Sequence, residues 1–355
     1  APVTASSSHS ANTSFAPNIS STISQRTGFS ISTISRVLSG QAERYRISPA
    51  TVRLIEEEAK RCNYIPNLLA KGLTTRRTNI IGLLIPSVDN PYFANIASVV
   101  IRQAKTQGFT TMVVDTMENE KNEQQDVLSL ISRKVDGIVI VPCDRDPAFL
   151  ERISKHNIPI VLIDRYFDAT SLPYVCTDNY QGGYEATMHL IGLGHERIAC
   201  IQGVPYSMPN KERVRGYREA LRQNNLEANA RVSGEDFSVQ NGYLETKLLL
   251  NGPSAPTAIF TLSNTILLGA IKAIRESGLR IPQDISIISF DNNTYLDYLD
   301  PAVTRVSQPT EEIGILAVKI LTESISDNKA GDAQILIPPK LIVCNSVSRL
   351  ATPEK

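Results

Sequence analysis

From residue 80 onward, short apolar runs alternate with longer stretches whose apolar residues recur at helical spacing. The runs fall at 80–86, 110–116, 136–142, 158–164, 174–178, 197–203, 257–263, 285–291 and 341–344. Most lack strict polar–apolar alternation, which predicts strands of a parallel sheet covered on both faces. Helical periodicity appears near 91–107, 121–134, 181–192, 210–224, 264–277 and 310–326. Strand and helix in alternation predict doubly wound α/β sheets. The roughly 270 residues involved are many for one such sheet. A two-lobed α/β body with a cleft between two subdomains is therefore expected over 80–349.

Before residue 80 no strand pattern occurs, and three short helices are expected at 19–26, 30–38 and 49–62. Gly28 separates the first two. Ser30 is placed to cap the second helix and Ser48 the third, with Pro49 at the first helical position. Residues 39–47 read as a polar loop, and Pro66 ends the third helix by disfavouring helix in the residue before it. The organisation expected is a disordered leader at 1–17, an all-α helix-turn-helix domain at 18–64, a hinge helix and linker at 65–79, the two-lobed body, and a short tail at 350–355.

Charge changes the picture. The whole chain is neutral, but residues 1–79 hold ten lysines and arginines against four acids, a net of +6, and the remainder carries −6. A basic piece on an acidic body is the split expected when one domain alone meets phosphates.

The stretch Gly28-Phe29-Ser30-Ile31-Ser32-Thr33-Ile34-Ser35-Arg36-Val37-Leu38-Ser39-Gly40 sits in that basic piece. On a helix, Ile31, Ile34, Val37 and Leu38 fall on one side for packing. Ser32, Ser35 and Arg36 fall on the other, with Ser30 and Thr33 near the helix start. Small hydroxyls and the first free N–H groups suit close approach to DNA backbone and base edges. Two helices joined by a tight glycine turn form the helix-turn-helix unit, whose second helix enters the major groove. The plainer alternative is a solvated serine-rich face.

The head resembles the DNA-binding end of the lac/gal repressor (LacI/GalR) family. GFSISTISRVLSG, then ISPATVRLIEEEAKRCNYIPNLLAKGL, follow the family's G-V-S-x-x-T-V-S-R-V-L-N-G and Y-x-P-N-x-x-A-x-x-L wording. The latter is met by Tyr64, Pro66, Asn67, Ala70 and Leu73. The loop Gln41-Ala42-Glu43-Arg44-Tyr45-Arg46 resembles that of the fructose-repressor branch. The resemblance covers nearly the whole chain after residue 18. It implies DNA contacts at Ser30, Ile31, Ser32, Thr33, Ser35 and Arg36, with Arg36 on a guanine edge or a phosphate. It also implies a hinge helix over Asn67, Ala70 and Leu73, with Leu73 as a minor-groove wedge. Thr22, Ser24 and Thr27 depart from the family's first helix, leaving its packing open.

In the body, strand ends carry Ser87 to Phe93, Asp115-Thr116, Cys143-Asp144, Asp164-Arg165, Asp178-Asn179, Ser263-Asn264 and Asp291-Asn292. Ligands of doubly wound sheets sit beyond such ends. Carboxylates, amides, an arginine and aromatic rings are the chemistry of a polyhydroxylated ligand, although each Asp alone also reads as a turn or cap residue. The resemblance matches Asp291 and Arg213 to effector-contacting positions. It places Asn90, Phe93, Asp144 and Arg165 in cleft-lining loops. Gln181 and Asn264 stand where the family carries other polar residues.

No dinucleotide fingerprint, P-loop, nucleophile elbow or zinc-protease motif occurs. The four histidines and five cysteines show no metal-ligand spacing, so neither a cofactor, a metal nor catalysis is expected. Without a secretory leader or a long apolar run, the chain reads as cytoplasmic. The expected function is a homodimeric, ligand-responsive transcription regulator, a repressor on double-stranded operator DNA, with a sugar or sugar phosphate as effector. Two alternatives stay open: a periplasmic-type sugar-binding protein without DNA binding, and a repressor descendant that has lost it.

Overall fold

The computed structural model describes residues 19–64, 77–156, 158–327 and 331–350. The chain divides into two compact units at Thr78/Asn79. The leader, the hinge positions Asn67, Ala70 and Leu73, and the last five residues lie outside the described residues.

The first unit holds α1 (Ile19–Thr27), α2 (Ile31–Leu38) and α3 (Pro49–Arg61). Gly28 takes φ +74° between α1 and α2, a turn that suits a residue without Cβ. The Ser30 and Ser48 hydroxyls accept the Thr33 and Thr51 amides, each at 3.2 Å, fixing where α2 and α3 begin. Ile23, Ile34, Val37, Ile55 and Ala59 form the buried core. The polar departures in α1 are absorbed locally. Ser24 donates to the Phe29 carbonyl and Thr27 to the Ile23 carbonyl, both at 2.7 Å, and Ile23 is fully buried between them. Ile31 corrects the expected core set. It is 50% exposed, at the first residue of α2 and outside the buried cluster.

The second unit contains two six-stranded sheets. The first sheet has β1 (Ile80–Ile85), β2 (Thr110–Asp115), β3 (Gly137–Ile140), β4 (Ile160–Ile163), β5 (Tyr174–Thr177) and β11 (Gln334–Ile337). The second has β6 (Ile198–Ile201), β7 (Arg231–Ser233), β8 (Ala258–Thr261), β9 (Ser286–Phe290), β10 (Thr304–Ser307) and β12 (Lys340–Ile342). The orders are β11-β5-β4-β3-β1-β2 and β12-β10-β9-β8-β6-β7. Pairing is parallel throughout except β10 with β12. The central strands GIVI, IVLI and IACI are buried at every residue, which is why their sequences do not alternate.

In the first lobe, α4 (Pro91–Thr106) and α11 (Thr310–Asp327) cover one sheet face, and α5 (Glu120–Ser132) and α6 (Ala148–Lys155) the other. In the second, α7 (Asn179–Gly192) and α8 (Met208–Gln223) cover one face, and α9 (Val239–Asn251) and α10 (Asn264–Glu276) the other. The chain crosses between lobes three times, after β5, after β10 and between β11 and β12. The pattern of apolar runs had not predicted α6, β7, α9, β10 or β11. β7 and β10 read RVS and TRVS, too short and polar to register as runs.

Candidate functional site

In the first unit, α2 presents Ser32, Ser35 and Arg36 to solvent, with Ile31 beside them and Ser30 at the helix start. Thr33 is partly buried against the Ser30 hydroxyl, 2.9 Å away. The Arg36 guanidinium carbon lies over the Tyr45 ring, 4.0 Å from its centroid.

In the second unit, a cavity of about 390 Å³ opens between the lobes. Its wall is built from the C-terminal ends of strands in both sheets, where side chains converge but no further strand fills the space. From the first lobe come Ser87, Asp89, Asn90, Tyr92, Phe93, Glu118, Asp164 and Arg165. From the second come Pro209, Arg213, Phe237, Ser238, Ser263, Thr265 and Asp291, and Gln308 stands on a crossing. Asn90 caps α4 by accepting the Tyr92 amide at 3.0 Å, which aims Tyr92 and Phe93 at the cavity. Those rings meet edge-on with centroids 5.2 Å apart.

A buried polar chain crosses the floor. The Tyr92 hydroxyl donates to Asp164 at 2.8 Å and lies 3.3 Å from Gln308 Oε1. Thr177 donates to the same Gln308 oxygen at 2.6 Å, and Gln308 Nε2 donates to Asp291 at 2.6 Å. Asp164 and Asp291 take φ +62° and +77°, left-handed backbone uncommon outside glycine and characteristic of functional loops.

Arg213 is held against the floor. Its Nε donates to Asn179 and its Nη1 to the Leu262 carbonyl, each at 2.7 Å, and its guanidinium lies 3.7 Å from the Phe290 ring centroid. Arg165 donates to both oxygens of Glu118 and to the Pro142 carbonyl. Burial disfavours the Arg165 charge, but the Glu118 carboxylate outweighs it and keeps the guanidinium protonated above its usual range. Burial raises the Asp164 carboxyl against the pull of Arg165 and Arg213. Burial and the adjacent Asp164 also raise the Tyr92 phenol, so it remains a donor.

The cavity thus brings together Asn90, Phe93, Arg165, Arg213 and Asp291 of the expected residues. Asn264 lies just behind the wall. Its amide N–H reaches Asp291 at 3.3 Å, and its side chain is buried with neither polar atom bonded to protein. Asp144 and Gln181 do not line this cavity. Asp144 accepts Gln124 and the Arg145 and Asp146 amides at the rim of a second interlobe cavity of about 370 Å³. Gln181 points along α7 and donates to Glu185 at 2.8 Å. Asp144 stands out in the sequence as a strand-end polar residue and Gln181 by the family resemblance, and both bond within their own loop or helix.

Several lining residues escaped the sequence, among them Glu118, Phe237, Ser238 and Gln308. Phe237 and Ser238 follow β7, and Gln308 follows β10, so the strand-end rule would have found them had those strands been visible. Glu118, at φ +51°, had no such signal. Among the described residues no cluster of histidine, cysteine and carboxylate is placed to hold a metal ion. No described helix is long and apolar enough to cross a membrane.

Residues 78–345 match the family described as periplasmic binding proteins and sugar binding domain of LacI family. The chain is 33% identical to the HTH-type transcriptional regulator DegA of Bacillus subtilis, over 93% of this chain and 98% of the relative. It is 31% identical to the ribose operon repressor of Haemophilus influenzae, over 90% and 96%. Among solved structures it resembles the lac repressor dimer bound to operator and the anti-inducer ONPF. There the TM-score is 0.82 at 26% identity, covering 92% of this chain and 98% of that one.

Proposed function

The chain belongs to the LacI family and is an effector-controlled, DNA-binding transcription regulator rather than an enzyme, and from that premise we propose that its effector is a small uncharged sugar bound in the interlobe cavity. The observation that carries this is the charge of the wall. Asp89, Glu118, Asp164, Asp236 and Asp291 face two guanidiniums, Arg165 and Arg213. Arg165 is already matched by both oxygens of Glu118, and Arg213 is anchored to Asn179, Leu262 and the Phe290 ring. A phosphate ester would have to displace Glu118 and sit beside four further carboxylates, at several kcal/mol of like-charge cost in a partly desolvated site (on the order of 4 kcal/mol per pair at about 4 Å). Hydroxyls face no such cost. Carboxylates accept them in pairs, and Phe93 and Phe237 supply apolar faces for a sugar ring.

In this reading two copies of the chain bind one operator, as in the lac repressor dimer, each setting one α2 into a major groove. Effector binding changes operator affinity through its different affinity for two lobe arrangements. Thermal-shift titration with pentoses, hexoses and their phosphates, followed by fluorescence anisotropy on DNA selected by the protein, tests the proposal. A neutral sugar is expected to raise the melting temperature and alter DNA affinity. A response confined to phosphate esters would overturn it.

A further inference from the structure

We propose that Tyr45 is a positioning residue for DNA reading, holding the Arg36 guanidinium so that its N–H edge meets a guanine in the major groove. Arg36 is the one cation on α2, on the same exposed face as Ser32 and Ser35. The ion pairs that join Arg26 and Arg61 to Glu58 do not involve Arg36. Its contact is instead with an aromatic face 4.0 Å from the guanidinium carbon.

The loop that carries the ring is tethered at both ends. The loop leaves α2 with the Gln41 amide on the Arg36 carbonyl at 2.8 Å. It closes with the Ile47 amide on the Ala42 carbonyl at 2.9 Å. Ala42 and Ile47 pack on the core of the unit, so the segment between them is tethered at each end. The Tyr45 and Arg46 amides bond back to Gln41 and Glu43 at 3.2 and 3.0 Å. Tyr45 itself stays 43% exposed and carries no core packing.

Stacking uses the face of a guanidinium and leaves its in-plane N–H groups free. A fork fixed in plane has lost its rotamer freedom before DNA arrives, which favours bidentate contact with guanine O6 and N7. A phosphate can use the same fork, so the base edge is assigned from the place of Arg36, beside Ser32 and Ser35 on the exposed side of α2, and the ring contact supplies its positioning.

The inference rests on the DNA-binding reading, and the test separates the two. Duplexes are selected from a randomised pool by the full-length wild-type chain. Each G·C pair of the selected site is then replaced in turn, and affinities are measured by anisotropy. Arg36→Ala should abolish discrimination at one G·C pair, a loss of roughly tenfold or more, with the salt slope unchanged. Tyr45→Leu should reduce discrimination at that same pair by about two- to fivefold and leave the other positions as they are. Tyr45→Phe, which keeps the ring, should restore it. Melting curves confirm that the exposed substitutions leave the head folded. Tyr45→Leu weakening all duplexes equally, or Arg36→Ala lowering the salt slope by about one, would overturn the proposal while leaving the DNA-binding reading intact. Failure of the wild-type chain to select any sequence would overturn both.

Discussion

Glu123 on α5 makes the stability of the body fall as pH rises. The carboxyl is completely buried. One oxygen accepts the Cys143 amide at 2.5 Å, and the other has no protein partner. Burial is the dominant influence and Asp144 adds to it. Against them stand the Cys143 amide and Arg165, and the balance lifts the group from 4.5 to about 7. Between those values the folded chain keeps a proton that the unfolded chain has released. The contribution is fully present below 4.5, declines as pH rises and is gone above 7. At about 1.4 kcal/mol for each pH unit spanned, it amounts to about 3 kcal/mol.

Glu123→Gln keeps the shape and the acceptor for Cys143 but removes the charge. In urea titrations at pH 5, 6, 7 and 8, the stability difference between variant and wild type should grow in favour of the variant by about 2–3 kcal/mol. Groups titrating equally in both proteins cancel in that difference. A difference constant across the range, or one favouring wild type increasingly at alkaline pH, would show that Glu123 is not protonated in the folded state at pH 6.

Two other perturbations address the cleft. The Arg145 guanidinium of the first lobe lies 3.8 Å from the Tyr206 ring centroid of the second, a cross-lobe cation–π contact worth about 0.5–1 kcal/mol at an exposed site. Tyr206→Leu should therefore speed effector dissociation about two- to fivefold in stopped-flow fluorescence, and an unchanged rate would disconnect the contact from lobe closure. A Cβ at Gly216 would stand 2.2 Å from the Tyr180 carbonyl oxygen. Gly216→Ala should force α7 and α8 apart, cost about 1–3 kcal/mol in urea unfolding, and weaken effector binding by displacing Arg213. Unchanged calorimetric affinity for the effector would disconnect that helix pair from the site.

The sequence disclosed the fold where burial was complete and hid it where strands were short or polar. Apolar runs such as IVLI in β4 and IACI in β6 are buried at every residue and stand out at once. β10 does not, because its Arg305 is a buried charge satisfied by the Val303 carbonyl and by the side chains of Asn292 and Asp297, which lie 13 and 8 residues away in sequence. Gln308 was hidden with it. In the head, Ser30, Ser48, Pro49 and Gly28 marked the helix ends because capping and left-handed backbone are local chemistry. The stack of Tyr45 on Arg36 joins a loop to a helix, and no periodicity records it. Asp144 looked like a cleft residue by its strand-end position, but which way such a side chain turns depends on neighbours brought from elsewhere, here Gln124, and Gln181, named by the resemblance, turns along its own helix to Glu185.

Gln308 joins the two halves of the cleft floor by hydrogen bonds. Leaving aside β11 and β12, both sheets run fifth-fourth-third-first-second in the order their own strands occur. β4 and β9 are thus equivalent strands of two topologically matching lobes. Each ends in an aspartate of positive φ, Asp164 in one and Asp291 in the other. Tyr92 holds the first, Gln308 holds the second, and the tyrosine hydroxyl and glutamine oxygen lie 3.3 Å apart. Thr177 and Gln308 flank two of the three crossings and are themselves bonded. A change in lobe angle that separated these residues would break a chain of buried hydrogen bonds, each costing about 1–3 kcal/mol when left unmade. A ligand offering hydroxyls to Asp164 and Asp291 can replace the broken bonds, so its binding free energy depends on the lobe angle, which is the differential affinity that allosteric control requires.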